Sequence, residues 1–173
     1  MDYNIIEIDG VQITSDGRVP VDAIFNSTGP VVKVASPIFI THHAYDAAEV
    51  EQEIDNNDDY LFKTYNLPNT YLRSIFAAFN RKDLIISMWF DDVKLSELDI
   101  ETQYEHYKHK EHWYWDVAYP SFGVYKEHGN YVVYFTYENT PINNNIKIKV
   151  RMNHDHSHSV KIKNVDYIYN TLP

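Results

Sequence analysis

Three histidines, His154, His156 and His158, stand at alternate positions around Asp155 in the stretch RMNHDHSHSVKI, residues 151–162. Imidazoles in that pattern reach one side of an extended chain and can ligate Zn²⁺ or Ni²⁺, so these three are the candidate metal ligands. The flanking residues constrain the reading. In IKIKVRM (146–152) Ile146, Ile148, Val150 and Met152 face one way and Lys147, Lys149 and Arg151 the other, and Val160 and Ile162 resume the apolar face further on. NHDHSH then falls at the tip of an expected β-hairpin, where Asn, Asp and Ser bond the local backbone. A solvated tip offers no fourth ligand and no orienting partners for the imidazoles. The expectation is adventitious Zn²⁺ or Ni²⁺ affinity and no resident cofactor. His106, His109 and His112 are spaced three and three, whereas metal pairs on a helix favour i, i+4.

Carboxylates are the second chemical signal. Residues 44–60, AYDAAEVEQEIDNNDDY, carry seven acids and no base. Read as a helix, Asp46, Glu49 and Glu53 form one ridge beside a strip of Ala47, Val50 and Ile54. Like charges at i, i+3 and i+4 cost a few tenths of a kcal/mol per pair, and Asp58 and Asp59 sit where a helix dipole disfavours anions. Such local cost raises the question of function. With Asp55 and the pair Asp91 and Asp92, these residues make a candidate docking surface for a basic protein, the carboxylates standing in for phosphate. The competing expectation is a solvated face balanced by Lys147, Lys149, Lys161 and Lys163. A third signal is aromatic: Trp113, Trp115 and Tyr119 share a parity in HWYWDVAY and could form a platform for a sugar ring or a partner's side chain, though period-two aromatics more often fill a core.

The elements that must position these groups follow from period and punctuation. YNIIEI (3–8), VQIT (11–14), RVPVDAIF (18–25) and PVVKVASPIFI (30–40) read as strands, with Asp-Gly turns at 9–10 and 16–17. Helices are expected over 44–55, over 66–80 and over 96–112. In the second, Pro68 sits in the first turn and Leu72, Ile75, Phe76 and Phe79 form a stripe; the third opens on a Ser-x-x-Asp capping pattern and presents Ile100, Tyr104 and Tyr107 on one side. DLIISMWF (83–90) is expected as a covered strand, and antiparallel strands follow over 112–119, 122–127, 131–138, 146–152 and 160–169. The expected fold is α+β: a large, mainly antiparallel sheet with two to three helices packed against it, in one domain over 1–173 (N-terminal strands 1–41, helical middle 44–110, C-terminal strands 112–170).

Composition narrows the function classes. The net charge is −10, with 18 acids against 7 bases in residues 1–101. That field repels phosphate backbones, so no nucleic-acid partner is expected, and it favours encounter with a basic protein. Five glycines build no phosphate loop, no G-x-S-x-G elbow is present, and zero cysteines exclude thiolate chemistry. No apolar run approaches a membrane span and the N-terminus carries no secretory pattern, so a cytoplasmic location is expected. The function expected on these grounds is non-enzymatic: an acidic protein, like immunity proteins and inhibitors in composition only, that neutralises or docks a basic partner. The alternative is a metal-dependent or acid–base enzyme, or a small-ligand binder, using the His-rich loop or an aromatic pocket.

Overall fold

The computed structural model describes residues 6–8, 11–13, 38–107 and 121–173. The chain divides into two compact units, residues 1–37 and 38–173. In the first, β1 (Ile6–Ile8) and β2 (Val11–Ile13) pair antiparallel.

Among its described residues the second unit is almost entirely β. Its strands are β3 (Ile40–Asp46), β4 (Val50–Ile54), β5 (Tyr60–Asn66), β6 (Thr70–Phe79), β7 (Leu84–Phe90) and β8 (Val93–Asp99), then α1 (Ile100–Tyr107), then β9 (Phe122–Glu127), β10 (Asn130–Ile142), β11 (Asn145–Met152) and β12 (His158–Thr171). The larger sheet runs β3-β12-β6-β10-β9, with β4 beside β12; the smaller runs β5-β11-β7-β8. Every pairing is antiparallel. The long β12 takes β4 along its first half and β3 along its second.

The two sheets pack face to face on one apolar core. From the smaller sheet it receives Phe62, Leu84, Ile86, Met88, Phe90, Ile146, Ile148 and Val150; from the larger, Leu72, Ile75, Phe79, Val133, Phe135, Val160, Ile162 and Val165. Phe62 of β5 meets Phe79 of β6 edge-on, Phe90 of β7 meets Tyr137 of β10, and the Tyr137 hydroxyl shares a hydrogen bond with Ser96 Oγ at 2.6 Å. On β11 the expected alternation is present: Ile146, Ile148, Val150 and Met152 are buried, while Lys147, Lys149 and Arg151 are half-buried on the other side.

The α+β expectation is overturned, because two of its three helices are strands. Residues 44–55 form the end of β3 and then β4, where Glu51 and Glu53 point to solvent and Ile54 to the core. Residues 70–79 form β6, the strand at the centre of the larger sheet, flanked by β12 and β10. The helical period there is the mark of a bulge. Leu72 and Thr70 share one parity while Ile75, Ala77 and Phe79 share the other, and Arg73 is the residue that both partner strands skip in register. The bulge turns a spacing of two into one of three, so 72, 75 and 79 imitate i, i+3, i+7. Pro68 occupies a turn ahead of the strand, with Asn69 at φ 54° behind it. The third expected helix begins later than 96: Ser96 lies in β8, and α1 starts at Ile100, with Asp99 Oδ1 accepting the Thr102 N–H at 3.1 Å.

Candidate functional site

The eight acids expected to form a docking surface are spread over strand ends and turns, and seven of them have partners within the chain. Asp46 ends β3 and accepts from Lys63 Nζ (3.0 Å), Tyr65 Oη (2.6 Å) and the Ala48 N–H (2.9 Å). The Tyr65 hydroxyl is the main cause of its lowered pKa; burial works against it, and the Ala48 amide and Lys63 add to the lowering. Glu49 pairs with Lys163 at 2.7 Å, the chief cause of its lowered pKa, with Lys161 at 3.8 Å. Glu53 accepts from Ser157 Oγ, and Asp55 from the Asn57 N–H and Tyr60 Oη. Asp59 bridges Arg151 (2.8 Å) and Lys94 (3.0 Å); burial pushes its pKa up, but the two cations outweigh burial and hold it down. Asp92 pairs with Lys147, and Asp58 is exposed.

Asp91 is a structural hub. Asp91 and Asp92 are the two turn residues between β7 and β8, both in the left-handed region at φ 51° and 70°, as a tight hairpin turn requires. The Asp91 carboxylate accepts the N–H groups of Asn143, Asn144 and Asn145 at 2.7–3.1 Å, tying this turn to the β10–β11 connection. Burial raises its pKa, but the three amides outweigh burial and lower it.

The histidine run is a corner between sheets, since β11 belongs to the smaller sheet and β12 to the larger and the two do not pair. The hairpin expectation fails because alternation on both sides is equally compatible with a strand that changes sheet. Asp83, at the end of the β6–β7 connection, meets this corner: His154 Nε2 lies 2.9 Å from Asp83 Oδ2, and the Asn153 N–H donates to the Asp83 carbonyl. Arg81 donates to both Asp83 oxygens, from Nε at 2.9 Å and Nη2 at 2.7 Å. Burial raises the Asp83 pKa, but Arg81 and His154 outweigh it and hold the carboxyl far below the usual range. Ligand atoms of Asp83, His154 and His158 all lie within 4.8 Å of one another. His156 is exposed, its ring 5.5 Å from that of His154. Asp83 carried no sequence signal, being 71 residues from His154.

Trp113, Trp115 and Tyr119 lie outside the described residues, as do His109 and His112. A different aromatic surface is present on the outer face of the larger sheet. An open groove of about 490 Å³ is lined there by Tyr45 (β3), Phe76 (β6), Tyr125 and Glu127 (β9), and Asn164 and Asp166 (β12). Tyr45 is 62% exposed and Tyr125 40%. Tyr134 stacks on Phe76 with centroids 5.6 Å apart and lies across Gly123, where an added Cβ would come within 2.5 Å of its hydroxyl. The Tyr125 pKa is raised, first by burial and then by the negative charges of Glu127 and Asp166. Asp166 is met by His43 Nε2 at 2.6 Å. The sequence signal for this groove was outward parity of aromatics and acids on non-adjacent strands, legible only once strand order is known. Among the described residues no helix is long and apolar enough to cross a membrane. No protein-family model and no curated protein matches this chain.

Proposed function

We propose that this chain is a non-enzymatic binding module that docks a basic protein in the cytoplasm, and that the groove on the outer face of the larger sheet receives a cationic side chain of that partner. One observation carries the reading: the groove joins exposed aromatic faces, Tyr45 and Tyr125, to two carboxylates, Glu127 and Asp166. A guanidinium gains from both, through cation–π attraction on the ring and charge-assisted hydrogen bonds to carboxylate. Glu127 and Asp166 both line the groove beside Tyr125, and their negative charges add to the burial that raises its pKa.

The acid run 46–59 takes the secondary part. Asp46, Glu49 and Asp59 already face the chain's own Lys63, Lys163, Lys94 and Arg151, whereas the groove's Asp166 and Glu127 face the imidazoles of His43 and His128, and a carboxylate paired to a lysine or arginine has less to offer a partner. The net charge of −10 steers a basic protein towards the surface at long range, and the aromatic groove supplies the short-range hold. The test is a fluorescence-anisotropy titration with a short arginine-rich peptide and its glutamate counterpart. The arginine peptide is expected to bind, to weaken steeply between about 0.05 M and about 0.5 M salt, and to lose about fivefold or more in affinity with Tyr125→Ala or with Glu127→Gln and Asp166→Asn combined. Equal binding by wild type and these variants would remove the groove from the reading.

A further inference from the structure

We propose that Asp83, His154 and His158 form a divalent-metal site of two nitrogens and one oxygen that clamps the corner where two crossings between the sheets meet. The reading is independent of the groove. Both crossings come from far apart in the chain. The β6–β7 connection carries Asp83 out of the larger sheet, and the β11–β12 connection returns to it through His154, with His158 as the first residue of β12. Backbone holds them in place, since the Asn153 N–H donates to the Asp83 carbonyl at 3.2 Å.

Two imidazoles and a carboxylate are the donor set of a borderline first-row ion, and Zn²⁺ takes such sets with open positions left for water. Tetrahedral Zn²⁺ wants its ligand atoms roughly 3.3 Å apart. Atoms already within 4.8 Å of one another reach that spacing by movements of an ångström or less, in two connecting loops and a strand end. All three residues are half-buried, so the ion would sit in a recess. Arg81 donates to both oxygens of Asp83 and fixes the carboxylate's orientation, as partners of metal-bound carboxylates commonly do.

The same geometry limits affinity. The His156 N–H donates to His154 Nδ1 at 3.1 Å, which leaves the imidazole proton on Nε2, facing Asp83. Coordination through Nε2 moves that proton to Nδ1 and frees the His156 amide. The Arg81 guanidinium repels the incoming ion, so the site binds more weakly than it would without it. These features separate a built site from casual capture by the exposed His156.

The experiment titrates Zn²⁺ alone into the tag-free chain against a competing chromophoric chelator, with thermal unfolding read in parallel. One Zn²⁺ per chain is expected, with Tm raised by about 5 °C at saturating metal. His158→Ala and Asp83→Asn should each weaken binding at least about tenfold. His156→Ala should leave it unchanged. Circular dichroism of each variant checks that it folds, and His158→Ala keeps the test open if loss of Asp83 unfolds the corner. Absence of saturable binding in the wild type overturns the proposal. So does binding that survives His158→Ala and vanishes in His156→Ala, since that result describes adventitious capture by the exposed loop.

Discussion

Lys63 reaches inward from β5 with 8% of its surface exposed, and the carboxylate that meets it there is Asp46, which also receives the Tyr65 hydroxyl. Replacing Asp46 with Ala therefore leaves a nearly buried ammonium without its counter-charge. Removing one member of a fully buried pair costs about 3–5 kcal/mol; Asp46 itself is partly exposed, so a loss of about 2 kcal/mol is expected in urea unfolding. Glu49→Gln, by contrast, touches solvent-screened pairs with Lys163 and Lys161 and should leave the midpoint almost unmoved. The contrast matters for function, because both residues belong to the acid run that stands out in the sequence. One serves the fold, and the other is largely neutralised by the chain's own lysines. Lys161 and Lys163, expected from the sequence as balancing cations, both meet Glu49; the pair of Asp46 with Lys63 was not legible, because it joins strands of different sheets.

Asp91 and Arg73 show how turns and bulges, more than composition, decide the architecture. Asp91 holds three backbone amides of the β10–β11 connection and takes a positive φ, so Asp91→Ala should cost about 2–3 kcal/mol, measured by chemical denaturation. Asp91→Asn keeps an acceptor and tolerates that backbone, and should cost clearly less. Arg73 is exposed, so Arg73→Ala is expected to be nearly silent. Deleting Arg73 removes the residue left unpaired against β12 and restores strict alternation, so Thr70, Leu72, Ile75, Ala77 and Phe79 still share the core face and cooperative unfolding should survive the deletion. The same bulge explains why the sequence reads as α+β. Strands that carry no inserted residue of their own, such as β7, β9 and β11, were legible from alternation and turn residues. β6 was not, because one inserted residue gives its apolar positions a helical spacing. β4 was not either: VEQEI is rich in residues that favour helices, and only its pairing with β12 makes it a strand. The groove shares this limit, since Tyr45, Tyr125 and Asp166 meet through a strand order that no local pattern contains.

Over the whole molecule, paired carboxylates set the response to acid. Asp46, Asp59, Asp83 and Asp91 all have pKa values below that of a free aspartate. A depressed folded-state pKa contributes stability that is complete above the unfolded value and is lost as protons bind below it. Stability should therefore be level above about pH 5 and fall progressively below about pH 4, read as a shift of the denaturation midpoint. At the alkaline end burial pushes the Tyr137 hydroxyl up to about 12, so its contribution holds below about pH 10 and declines between about 10 and 12. Neither limit reaches the neutral range in which Glu127 and Asp166 would meet a cationic partner. The measurement that reaches the central claim most directly is an NMR titration of ¹⁵N-labelled protein with a short arginine-rich peptide at low salt. Shifts confined to the groove, at Tyr45, Phe76, Tyr125, Glu127, Asn164 and Asp166, are the predicted result. Shifts confined to Glu49, Asp58 and Asp59, or no shifts at any peptide concentration, would contradict it.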